Sequence, residues 1–161
     1  MEFFMAEYGR LVVFFHVLSA IILVGGMIAI RIAVHPALQK LDPVTTKLSR
    51  MLEILKRFYL AVAPFTFLSL LTAVILGVGL GFKHGDPFLY SLMHVKEGIW
   101  TVMFINFVTM MVLRSKAEKF LKMGDVESCQ KKLAIGAKYL LPLNILLGVI
   151  ALYMGVMFRG F

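Results

Sequence analysis

Apolar residues along this chain gather into four long runs separated by polar stretches. Residues 11–34 hold one charge, Arg31, close to the end of the run, and residues 58–82 hold none. Residues 99–113 hold none and gain length if 88–98 leads into them; residues 139–158 hold none. About 20 helical residues at 1.5 Å rise cross a ~30 Å hydrocarbon core. Lipid offers the backbone no hydrogen-bond partner, so such spans must be helices. The pattern predicts an all-α integral membrane protein, an up-down four-helix bundle with cytoplasmic helical extensions. Residues 1–161 form one four-span domain, with spans at about 11–34, 58–82, 92–113 and 139–158.

The polar stretches also read as helical. Asp42 is an N-cap and Pro43 a first helical residue. Leu48, Met51, Leu52, Leu55 and Tyr59 continue the stripe, which predicts one helix over 43–80, bent near Pro64. Residues 114–123 extend the third span until Gly124 stops it, Asp125 caps the last helix, and Pro142 kinks it.

The chain is 60% hydrophobic and 16% charged. Soluble domains run at roughly 45–50% apolar and about 25% charged. A soluble enzyme, a disordered chain and a disulfide scaffold are therefore excluded. Cys129 is the only cysteine, so no disulfide forms within the chain. It is expected in a polar loop as an inert thiol. Residues 1–10 carry Glu2 and Glu7 against Arg10, and the run after them is too long for a signal peptide.

The formal net charge is +8. Thirteen of the 17 Lys and Arg residues fall in the connections after spans one and three together with their flanks, Arg31 included. Only Arg10, Lys83, Lys96 and Arg159 fall on the other side. The positive-inside rule puts the thirteen in the cytoplasm and both termini outside, in an inner (cytoplasmic) membrane. With five acids inside and four outside, the whole excess lies on one face. Anionic headgroups of the lipid bilayer account for it, and no nucleic acid is needed.

Polar groups inside a membrane are costly and mark function. His16 lies about five residues into span one, roughly 8 Å deep. His94 lies at the outer end of span three, diagonal to span one. Two neutral imidazoles facing across a bundle can hold a b-type haem by its iron. At 100° per residue His16 shares a face with Ser19, Ala20, Leu23 and Met27. His94 shares one with Gly98, Thr101, Ile105 and Thr109. Small residues on such faces admit a macrocycle and equally admit close helix packing. His16 can also serve simply as a bond to a neighbouring helix, and His94 as a headgroup-layer residue.

His35 is 19 residues from His16, about 28 Å along one helix, and cannot share its metal. Arg31 and His35 at i, i+4 suit a carboxylate such as a haem propionate, or else two snorkelling side chains. Lys96 suits a propionate and Glu97 a proton relay, and both also suit an interface. His84 reads as solvated in a turn.

The order of motifs resembles the HemJ/CopD-like membrane superfamily. Phe15-His16, Val24-Gly25-Gly26-Met27, Arg31 and His35-Pro36-Ala37-Leu38 resemble its first helix in the CopD-type variant. Lys56-Arg57-Phe58-Tyr59 and Leu92-Met93-His94-Val95-Lys96 are similar to the entries of its second and third helices. The resemblance covers most of the chain, although residues 21–26 lack the family's mid-helix Trp. It implies a haem-b protein of protoporphyrinogen-oxidase type, with His16 and His94 on the haem iron and Arg31, His35 and Lys96 as polar accessories. Its partner would be a quinone or a porphyrinogen, in a homo-oligomer or a larger membrane complex.

Two other readings stay open. Eleven methionines and four histidines could serve Cu(I) in a CopD-type copper protein, though their spread along the helices suits core filling. A non-redox scaffold subunit could dock through its basic helices. The chain has no Gly-rich phosphate loop, HExxH or GxSxG motif.

Overall fold

The computed structural model describes residues 2–79 and 86–157. Within them the chain forms four helical rods, each long and apolar enough to cross a membrane. The first rod is α1 (Glu2–Ala29), a π-helical segment (Ile30–Val34) and α2 (His35–Gln39). The second is α3 (Val44–Gly79) and the third α4 (Pro87–Lys122). The fourth is α5 (Val126–Ile135), a second π segment (Gly136–Leu140) and α6 (Leu141–Met157). The all-α membrane bundle expected from the apolar runs is the fold observed.

Around the bundle, α1 packs on α3, α3 on α4, α4 on α6, and α6 back on α1. This ring leaves α1 and α4 diagonal, as the up-down order requires. At 36 residues α3 and α4 are each roughly 54 Å long, well beyond a ~30 Å core. Both therefore project from the membrane at the basic end.

The helix ends follow local chemistry. Asp86 caps α4 by accepting from the Phe88 N–H (2.8 Å), with Pro87 in the first turn. The third span thus begins earlier than residue 92, because the cap and Pro87 start the helix before the apolar run does. Gly124, at φ +79°, ends α4, with the Asp125 N–H bonded back to the Phe120 carbonyl. Asp125 then caps α5 by accepting from the Ser128 N–H (2.9 Å). The start of α3 differs from expectation. The Pro43 carbonyl takes the first helical bonds, from Thr46 and Lys47, and Val44 is the first helical residue.

Two prolines explain the two π segments. A helical proline lacks an N–H and pushes against the carbonyl four residues back. For Pro36 that carbonyl belongs to Ile32, and for Pro142 to Lys138. Each is the central residue of a π segment, Ile30–Val34 and Gly136–Leu140. The widened turn absorbs the clash, so the rods continue. In contrast, α3 runs through Pro64 as α-helix.

The main core comprises Leu23, Val24, Met27, Val62, Met103 and Phe107 with their neighbours. Gly148 permits its closest approach, since a Cβ there would sit 2.6 Å from Val24 Cγ2. A second core at the basic end holds Leu48, Leu52, Ala117 and Cys129. Cys129 is therefore not in a polar loop: it is a free, fully buried thiol on α5. Capping by Asp125 extends the helix across the polar stretch and turns Cys129 inward.

Candidate functional site

Large apolar side chains such as Ile21, Phe67, Val74 and Tyr153 are exposed around the bundle, as lipid-facing residues are. Against that surface the inward polar residues stand out. They form three groups at three depths.

The first group lies in the half of the bundle that carries the termini. The face of α1 is as expected, with Ser19, Leu23 and Met27 buried in line with a half-buried His16. The His16 Nδ1 lies 2.9 Å from Thr72 Oγ1 and 3.2 Å from the Ser69 carbonyl oxygen, both on α3. A carbonyl can only accept, and Thr72 Oγ1 already donates to the Leu68 carbonyl (2.7 Å). The His16 Nδ1 is therefore the donor. In the neutral ring Nε2 then holds the lone pair.

Across the bundle α4 presents Lys96. A Cβ at Gly155 of α6 would meet its Nζ at 3.2 Å. His94 points the other way. Its side chain is 52% exposed, its Nδ1 lies 2.8 Å from Glu97 Oε2, and its ring stands edge-on to Tyr90. The stripe expected inward with it also faces out, since Gly98, Thr101, Ile105 and Thr109 are all exposed.

Helix geometry gives the reason. The buried face of α4 is Met103, Phe107, Met110, Arg114 and Ala117, in steps of four and three. Continued towards the start of the helix, that face reaches Ile99 and Lys96, both half-buried. His94 is two residues from Lys96, about 200° around the helix, so the two cannot both face the core. The larger apolar residues decide the face, and the small ones go to lipid.

The second group is at mid-bundle. Asn144, 1% exposed, accepts from Asn106 Nδ2 (3.0 Å) and donates to the Met103 carbonyl (3.1 Å). It ties α6 to α4. The third group is at the basic end. Arg114 donates through Nε to the Leu52 carbonyl (3.1 Å) and pairs with Glu118 (2.6 Å). Nearby, Arg31 Nη1 reaches the Ala137 carbonyl at 3.4 Å. His35 lines a cavity, with its Nε2 3.4 Å from Gln39 Nε2.

A b-type haem asks for a ring nitrogen with a free lone pair, held by a partner on its other nitrogen. His16 fits: Nδ1 is held by acceptors, and Nε2 is left to bind. Lys96 fits as the nearby cation for a propionate. The arrangement does not bring His94 opposite His16, so a bis-histidine pair across the core is not formed by this packing. His94 keeps the same tautomer through Glu97, but on the outer face. Among the described residues no group of three or more His, Cys, Asp or Glu could hold a bare metal ion. His84, with Lys83 and Arg159, lies outside the described residues.

The apolar pattern of the second span does not by itself mark Ser69 and Thr72 as site residues. The usable signal is a row of three hydroxyls, Thr66, Ser69 and Thr72, at three-residue spacing in a largely apolar run, on a span next to that of His16. Asn144 and Arg114 carried the same kind of signal. No family model, curated protein or solved structure matches the chain.

Proposed function

We propose that this chain is a membrane redox protein that holds a b-type haem through His16 and exchanges electrons with a quinone or a porphyrinogen. The observation that carries the reading is the His16 ring, pinned at Nδ1 by Ser69 and Thr72 with Nε2 left as a donor to iron. When bound, the haem supplies one-electron chemistry that the side chains lack. The chain's own part is to orient the imidazole, keep the site in an apolar surround, and place the Lys96 cation where a propionate needs one. Arg31 and His35 lie a rod's half-length away and are not part of this site. An assignment as a protoporphyrinogen-oxidase-like enzyme rests on the family resemblance.

The test is a reduced-minus-oxidised spectrum with iron stoichiometry on detergent-purified protein expressed with ample haem. We expect b-type bands that His16→Ala removes and His94→Ala retains. Wild-type protein without such bands overturns the reading.

A second reading has one specific observation behind it. The bonds that prepare His16 for iron also tie α1 to α3, so His16 can serve as a structural clamp in a non-redox subunit. In that case the wild-type spectrum is blank and His16→Ala lowers stability alone.

A further inference from the structure

The basic end of the bundle contains a cavity of about 240 Å³ that the redox reading does not use. It is lined by apolar side chains from all four rods, among them Ile30, Leu48, Leu55, Met110 and Leu133. His16 is 14 residues from Ile30, roughly 21 Å along the first rod. The cavity therefore lies well away from the His16–Lys96 group.

Its polar lining is of one sign. Lys47, Lys132, Arg114 and His35 line it, and among the described residues no Asp or Glu does. Arg114 is already paired with Glu118. Lys47 Nζ donates only to the neutral Gln39 Oε1 (3.0 Å), and Lys132 has no ion pair or hydrogen bond among the described residues. Among the described residues the cavity thus offers two lysines without a carboxylate beside its apolar lining. Both π segments border it, through Ile30 on one rod and Gly136 and Ala137 on the other. Widened turns of this kind occur often at functional sites.

We infer that this cavity binds an amphiphile with one aliphatic tail and an anionic head, its tail among Leu48, Leu55 and Met110 and its phosphate or carboxylate on Lys47 and Lys132. An apolar chamber alone would suit any tail. The cation pair selects the head, because a charged donor gains most from an ionised acceptor. At about 240 Å³ the cavity lies just below the ~300–1,000 Å³ of sites for drug-sized ligands, which suits a single aliphatic chain. The inference does not depend on haem.

The experiment uses the full chain in uncharged maltoside detergent, with cis-parinaric acid, an unbranched fatty acid that fluoresces through its own polyene, as the probe. We expect saturable fluorescence enhancement above that of empty micelles. Lys47→Ala with Lys132→Ala should weaken binding at least tenfold. Gly136→Leu, which puts a side chain into the cavity, should abolish it. Helicity and unfolding midpoint serve as folding controls for all variants. Dodecyl phosphate should displace the probe, while dodecanol and inorganic phosphate should not. Displacement by phosphatidylglycerol nanodiscs but not phosphatidylcholine ones supports the site and names a bilayer lipid as its source. Retention in both also supports it and names a free amphiphile. Absence of saturable binding, equal binding by a folded lysine double variant, or equal displacement by dodecanol overturns the inference.

Discussion

Gly148 sits where α6 crosses α1 and α4, and the tightness of that crossing can be measured. A Cβ built there lies 2.6 Å from Val24 Cγ2, 3.2 Å from Met103 Cε and 3.4 Å from Val24 Cγ1. Carbon atoms rest at about 3.5–4.0 Å, so Gly148→Ala asks Val24 to retreat by roughly 1 Å. Met103 can swing its terminal methyl away, but Val24 is β-branched and 4% exposed, with one stiff rotamer on a helix. Overpacking of this kind costs about 1–3 kcal/mol, against a helix-propensity gain of about 0.5–1 kcal/mol for Gly to Ala. The net expectation is a loss of about 1–2 kcal/mol. At Gly98, where nothing lies within 4 Å of a Cβ, the same change should show only the gain. The Val24→Ala and Gly148→Ala pair should couple favourably, by roughly 1 kcal/mol or more, because shortening Val24 removes the obstruction. The assay is reversible unfolding in mixed micelles, followed by circular dichroism. Equal effects of Gly148→Ala and Gly98→Ala, or an additive double variant, would refute the reasoning.

Three further outcomes are expected. Asn144→Leu breaks two bonds between α6 and α4 and should cost about 1–2 kcal/mol in the same unfolding assay, at the roughly 0.6 kcal/mol average for membrane hydrogen bonds plus repacking; a variant as stable as wild type would contradict the role given to Asn144. Hydrogen bonds from the Ser128 side chain and backbone hold the Asp125 carboxyl below its ordinary value of 3.8. Its capping contribution is then present above that value and fades as pH falls through the lower folded one, so the Ser128 amide resonance should titrate with a midpoint under 3.8. In a Cys129→Ser background, Glu7→Cys should react with an impermeant maleimide added outside intact cells, and Lys131→Cys only after permeabilisation; the reverse pattern would invert the orientation read from the charges.

Much of the fold was legible because length and hydropathy act without regard to detail. A run of about twenty apolar residues is long enough to span a bilayer, and Asp125 and Gly124 mark helix ends by local bonding alone. Rotation about the helix axis was harder to read. On α4 the residues around His94 include Gly98, Thr101 and Ile105, and nothing local says whether small residues or Met103 and Phe107 face inward. In lipid both faces are apolar, so the usual contrast between a polar and an apolar side is missing. The choice is made by how the neighbouring rods fill space, which sequence spacing does not contain. Lys96 was readable as a polar residue near a boundary, but its inward position follows from that same packing. His16 came through because its neighbours Ser19, Leu23 and Met27 all point one way.

The rods outlast the bilayer, and so the molecule lives in two solvents. In the hydrocarbon, burying Met103 against Val24 gains contact but releases no water, since lipid tails already surrounded both. Around Leu48, Leu52, Ala117 and Cys129 the surroundings at the basic end are aqueous, and burial there carries the heat-capacity signature of dehydration. One continuous set of helices is thus held by two forces with different temperature dependence. Chilling or urea should loosen the basic tip first, while the membrane-embedded part stays closed.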